Sequence, residues 1–153
     1  MRRRIVGFDC DEAGDWVASL DCHHRQHVRH RPPFVVAPWV EDARERVRRI
    51  GSVLDCPLCD RCEVPDGLVV LRTETCDGPT LPEALRRSHR LASGTWARLR
   101  VTRGSVRFVA RTDPPTDVVV APGGSQGIPP DVDHHVEALG RSSLLVELLG
   151  APS

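Results

Sequence analysis

The sequence predicts a mainly β protein of two modules: a small, metal-stapled β-hairpin-plus-helix module, then a β-barrel of the jelly-roll type. Three observations carry this reading. The stretch "LDCHHRQHVRHRPPF", Leu20 to Phe34, crowds one cysteine, four histidines and three arginines into fifteen residues. Three more cysteines follow in "LDCPLCDRC". From Gly67 onward the texture changes to short apolar or alternating runs between turn signals, spaced at roughly the 8–12 residues expected of a sandwich or barrel.

Each element follows from local pattern. Between residues 4 and 22, Val6, Phe8 and Cys10 and then Trp16, Ala18, Leu20 and Cys22 alternate around "DEAGD", which predicts a hairpin turning at Glu12 to Gly14. The His-rich arm and a short apolar run "FVV" come next. Val40, Ala43, Val47 and Ile50 then recur at helical spacing, and Gly51 sits where a helix stops, so one helix of about three turns is expected. Pro65 and Gly67 in "EVPDG" mark a boundary, giving modules at residues 1–65 and 66–153. The runs "LVVL", "TWARLRV", "SVRFVA", "DVVVA", "VDHHVEAL" and "SLLVELL" are the expected strands of the second module, with turns at Gly104, Pro114-Pro115, Gly123-Gly124 and Gly140.

Composition narrows the function classes. The 153 residues include three Trp, three Phe and no Tyr, so the core leans on Val, Leu and Ala, and an added staple suits it. Acids and bases balance at 21 each, which argues against a whole-chain pull towards nucleic acid or anionic membrane. Every base is Arg, which excludes lysine Schiff-base chemistry. The start "MRRRIVGFDC" is basic, but Asp9, Asp11 and Glu12 arrive before any apolar stretch, so no signal peptide is read. No run of about 18 apolar residues is present. The expectation is a cytoplasmic protein, and in a reducing compartment six cysteines read as metal ligands or free thiols.

Cys56-Pro57-Leu58-Cys59 is a CxxC turn on which two thiolates converge, and Cys22 with His24 adds a CxH pair upstream. Together they make one tetrahedral zinc's worth of ligands. Structural zinc supplies about 10–16 kcal/mol of coupled folding free energy, which suits so small a module. His23 and His27 compete with His24 for the fourth position, and Cys59 with Cys62 forms a second CxxC register. A redox CxxC lacks its βαβ surroundings here, and Asp60 stands where c-type haem attachment needs His.

The residues "GFDCDEAGDWVASLDCHHRQHVRHRPPFVVAPWV" and "LDCPLCDR" closely resemble a small, functionally uncharacterised bacterial domain with the pattern GFxxDxxGDWVAxLxCGHxQHVRHxPP…LxCPxC, matched over residues 5–61. This chain has His23 where that pattern has Gly and Cys10 where it has His. The resemblance implies a compact metal-stapled module and no known activity. Beside it, Arg25, Arg29 and Arg31 in the arm are free to meet an anion or a partner, with nucleic acid disfavoured by the balanced charge and the lack of stacking aromatics.

In the second half, "HRLASGTWARLRVTRGSVRF" and "GGSQGIPPDVDHHVEALG" resemble degenerate forms of the two cupin signatures. A cupin holds a metal or small ligand inside an open barrel, and His89 and His134 fall at signature positions. Alternation places Val132, His134 and Val136 on one face, with His135 and Glu137 on the other. The first signature's second His and its Glu are missing, with Leu91 or Ala92 and Ala97 near those places, so Glu147 in the last strand is the expected third ligand if it faces inward.

More closely, residues 67–150 resemble the TehB/YeaR-like cupin family found in tellurite-resistance proteins and in stand-alone relatives, on "LPEALRRSHRLASGTWARLRVTRGSVRF" and "IPPDVDHHVEAL". The resemblance implies a bound divalent metal, Zn or Fe, a small-molecule or oxyanion ligand in a tellurite-type or nitrosative stress response, and a homodimer through the cupin. Two contrasting classes stand beside it: a non-catalytic adaptor or sensor whose zinc module docks a protein or nucleic acid, and an iron-dependent cupin oxygenase using two His and one carboxylate.

Overall fold

The computed structural model of the protein describes residues 1–78 and 81–153. Its chain is mainly β and divides into two compact units, Arg2–Cys56 and, with Met1, Pro57–Ser153. The division falls inside the CxxC turn, whereas the Pro-Gly signal places it at residue 65. Among the described residues no helix is long and apolar enough to cross a membrane.

The first unit is a four-stranded antiparallel sheet. Strands β1 (Arg2–Cys10) and β2 (Trp16–Leu20) form the expected hairpin, and β3 (Arg25–His27) adds to its β2 edge. The turn is held by Asp11, whose Oδ1 accepts from the backbone N–H groups of Ala13 and Asp15, both at 2.9 Å. The alternation expected through Val6, Phe8 and Cys10 is broken by a bulge between Ile5 and Gly7, which puts Ile5 inward against Leu20 and leaves Val6 and Cys10 exposed.

The arm is tied down by the acids of that turn. His27 bonds Asp11 at 2.8 Å, and Arg29 and Arg31 reach Asp15 at 2.9 and 3.5 Å. A tight loop closed between Arg31 and Val35 then turns Phe34 out to 92% exposure. The expected three-turn helix is shorter. A single 3-10 turn at Pro38–Val40 precedes α1 (Ala43–Arg49), because Asp42 caps the helix start by accepting from Arg44 and Glu45 N–H. No α1 residue is buried: Arg46 lies 3.5 Å over the Trp16 ring and Arg49 4.8 Å over Trp39, so the helix docks by cation–π contact while Val47 stays 67% exposed. Strand β4 (Val53–Asp55) pairs with β1 and closes the sheet in the order β3-β2-β1-β4.

The second unit opens with the single turn α2 (Pro57–Asp60), then β5 (Val69–Gly78), α3 (Glu83–Arg86), β6 (Trp96–Arg103), β7 (Val106–Ala110), β8 (Thr116–Val120), β9 (Ser125–Ile128), β10 (His134–Ala138) and β11 (Ser142–Gly150). The strands build two antiparallel sheets, β5-β11-β6-β9 and β10-β7-β8. Inward side chains alternate along each strand: Ala97, Leu99 and Val101 on β6, Val106, Phe108 and Ala110 on β7, and Leu144 on β11 bury one apolar core. Gly104, at φ +67°, makes the β6–β7 turn where a side chain would run into Arg141 O and Ser142.

Candidate metal centre

The end of β2 and the end of β4 bring the two cysteine motifs together. After Leu20 the chain reverses in a tight turn, with His23 N–H donating to Leu20 O at 2.9 Å and Leu20 N–H to His24 O at 3.0 Å. His23 sits at the corner with φ +68°, and Cys22 and His24 on either side of it are both buried. Cys56 follows β4, and Cys59 lies one helical turn on, so both thiols share a face.

Four donor atoms, from Cys22, His24, Cys56 and Cys59, lie within 4.8 Å of one another, and all four residues are buried. The sulfurs of Cys22 and Cys56 are 4.0 Å apart, and His24 Nδ1 stands 3.5 and 3.4 Å from them. Thiolates about 2.3 Å from one tetrahedral ion lie about 3.8 Å apart, and a thiolate and an imidazole nitrogen about 3.5 Å, so the spacing fits one four-coordinate cation. Burial alone would lower the His24 pKa. Hydrogen bonds and charge from Cys22 and Cys56 outweigh it and push the value up to about 9.

The alternatives separate clearly. His27 is spent on Asp11, and His23 occupies the turn corner rather than the cluster. Cys62 is buried in the core of the second unit, its sulfur 3.8 Å from Thr116 Oγ1, so the Cys59–Cys62 register is not used. Cys10 is exposed, and Cys76 is buried in the same core as Cys62.

In the second unit the structure brings His89 and His134 together across an isolated antiparallel bridge, with ring centroids 4.2 Å apart. Their Nδ1 atoms are both committed to backbone carbonyls, His89 to Arg87 O at 3.0 Å and His134 to Val132 O at 2.9 Å. Each Nδ1–H donates to its carbonyl, which leaves Nε2 as the ring atom that could ligate. His134 is fully buried beside Phe108, and burial holds its pKa below the ordinary histidine value. Val136 is likewise buried, while His135 and Glu137 face the other way and bond each other at 3.0 Å.

Glu147 does not join the pair, which corrects the expected third ligand. It lies directly across from Arg98 on the face of β11 opposite Val146 and Leu148, and its carboxylate takes Arg98 at 2.7 Å and Arg100 at 3.5 Å. Apolar residues occupy both faces of "SLLVELL", so alternation could not tell which face is inward. Among the described residues no third His, Cys, Asp or Glu donor joins His89 and His134 within ligand distance.

Comparison with known proteins finds two successive matched regions in the chain. Residues 6–63 match the family described as "Protein of unknown function (DUF3565)", and residues 72–146 match the TehB-like domain. No curated protein matches the chain. Among solved structures, a protein from E. coli (strain K12) is similar with a TM-score of 0.51 and 20% identity, over 59% of this chain and 88% of that one. TehB from Haemophilus influenzae gives a TM-score of 0.50 and 21% identity over 56% of this chain, but the match spans only 32% of TehB. At these identities the likeness is one of fold. Residues 6–63, which carry the Cys/His cluster, thus correspond to the DUF3565 family, and residues 72–146 to a TehB-like domain in the mainly β second unit.

Proposed function

We propose that the protein is a two-module metal protein, in which a structural zinc holds the first module and the TehB-like cupin carries a divalent metal, Zn or Fe, for small-molecule or oxyanion handling in a stress response of the tellurite-resistance type. The observation that carries this reading is the convergence of four buried donors from Cys22, His24, Cys56 and Cys59. Three thiolates and one imidazole suit zinc, and a full set of protein ligands is the arrangement of a structural rather than a catalytic site. What zinc supplies there is crosslinking of two distant chain segments.

In the cupin, His89 and His134 would hold the metal through Nε2, with their Nδ1–H groups fixing the tautomer. With Glu147 engaged by arginines on the opposite face, the donor set favours ligand binding or sensing over a two-His, one-carboxylate oxygenase. Elemental analysis of the purified chain tests both halves. One zinc per chain that Cys56→Ser releases is expected, together with a second divalent ion that His134→Ala releases and His135→Ala retains. Zinc unaffected by Cys56→Ser would overturn the staple, and equal losses in the two histidine variants would overturn the cupin site.

A further inference from the structure

A second place for a ligand lies on the cupin, lined by none of the proposed metal ligands. Between the 81–88 segment and β10 runs an open groove of ≈ 450 Å³. That is within the roughly 300–1,000 Å³ that holds small organic ligands. Its apolar lining is Leu81, Val136 and Ala138; Val136 is turned into the core and Leu81 is largely buried, so Ala138 and the rim of Leu81 are what the groove offers an apolar group.

Its polar groups are set for an anion. The Arg86 Nε donates to Leu81 O at 2.9 Å, which aims the guanidinium, and no carboxylate among the described residues pairs with its Nη groups. The other arginines of this stretch are occupied, Arg87 by Glu83 and Arg90 by Asp133. Ser88 adds a hydroxyl on the same rim. The one acid in the groove, Glu137, is already held by His135 at 3.0 Å and by Arg107 at 3.2 Å. Arg107 in turn takes both oxygens of Asp117, at 2.8 and 2.6 Å. Arg86 is therefore the available charge, and a planar fork pairs best with a carboxylate.

We propose that this groove binds a small organic monocarboxylate, its carboxylate on Arg86 and Ser88 and its apolar body against Ala138 and the rim of Leu81. The site uses none of the proposed metal ligands and does not depend on the metal reading.

Titration of the full-length, isotopically labelled chain with benzoate, followed by amide shifts, tests it. Saturable shifts at Ser88, His135 and Glu137 are expected, with a Kd on the order of 1 mM for so small a probe. Benzamide, the neutral isostere, should bind at least tenfold more weakly. Arg86→Gln should cost benzoate about tenfold in affinity and leave benzamide unchanged, whereas Arg103→Gln should change neither. Persistence of the shifts in a metal-chelated sample is also expected. Equal binding of benzoate and benzamide, unchanged affinity in Arg86→Gln, loss of binding on chelation, or displacement of benzoate by equimolar inorganic phosphate would each overturn the proposal.

Discussion

His23 holds a left-handed backbone at φ +68°, a conformation that costs a side-chain-bearing residue roughly 1–2 kcal/mol relative to the right-handed region and that glycine adopts freely. The glycine in the resembling pattern therefore has a conformational reason, and His23 is tolerated at a cost. His23→Gly should raise the denaturant stability of the first module by about 1 kcal/mol while leaving metal content unchanged; a loss of metal would show instead that His23 is a ligand. His134 offers a pH test. Burial, opposed in part by the ring's own bond to Val132 O, depresses its folded pKa below 6.5. In the unfolded chain it takes up a proton near 6.5, so stability present above that pH is lost as pH falls towards the folded value, at no more than about 1.4 kcal/mol per pH unit. Urea unfolding of the chelated protein at pH 7.5 and pH 5 should show this loss, and His134→Gln should reduce it. At this scale the buried cluster of Cys22, His24, Cys56 and Cys59 was legible because CxH and CxxC are short motifs whose spacing survives folding. The choice of His24 over His23 and His27 was not, since it depends on a turn corner and on Asp11, neither of which periodicity reveals.

At the scale of elements, the hairpin and most barrel strands follow from alternation, and the departures have physical causes. The β1 bulge reverses the inward set after Ile5, and no residue pattern announces it. The helix loses a turn because Asp42 caps it late. Strand β9, "SQGI", has too few apolar residues to be read as a strand, yet it pairs along β6 from Ala97 to Arg100. Its Gly127 explains the composition: an added Cβ would collide with Cys62 O and press on Val64. Gly127→Ala should destabilise the second unit by roughly 1–3 kcal/mol in chemical denaturation, as overpacking does. Gly7→Ala, where a Cβ meets nothing within 4 Å, should stay within about 0.5 kcal/mol. Similar effects of the two substitutions would refute the steric account.

For the whole molecule, the two units differ in how much apolar core each owns. The second buries a contiguous cluster from Leu81 to Leu144. The first has Ile5, Val17, Ala18, Leu20 and Val40 beside its cysteines. On the proposed reading a unit this thin relies on the metal crosslink, so a strong chelator should unfold the first unit and leave the second native. Tryptophan emission resolves the two, since Trp16 and Trp39 lie in the first unit and the fully buried Trp96 in the second. Red-shift of part of the emission, with the barrel's methyl signals retained, is the expected outcome, and one concerted transition of all three indoles would contradict it. The two-module order was legible at this scale because metal-ligand spacing and strand spacing are different textures, while the division at Cys56 reflects contacts that only folding creates.

Cys10 is the exposed thiol of the six, and the other five are buried. A maleimide reagent should accordingly modify one position per native chain, at Cys10. After chelation Cys22, Cys56 and Cys59 become reachable, while Cys62 and Cys76 stay shielded by the barrel core until it unfolds. Mass spectrometry of the adducts would then rise in steps of one, four and six labels, making thiol stoichiometry a direct gauge of how many molecules in a preparation carry the ion.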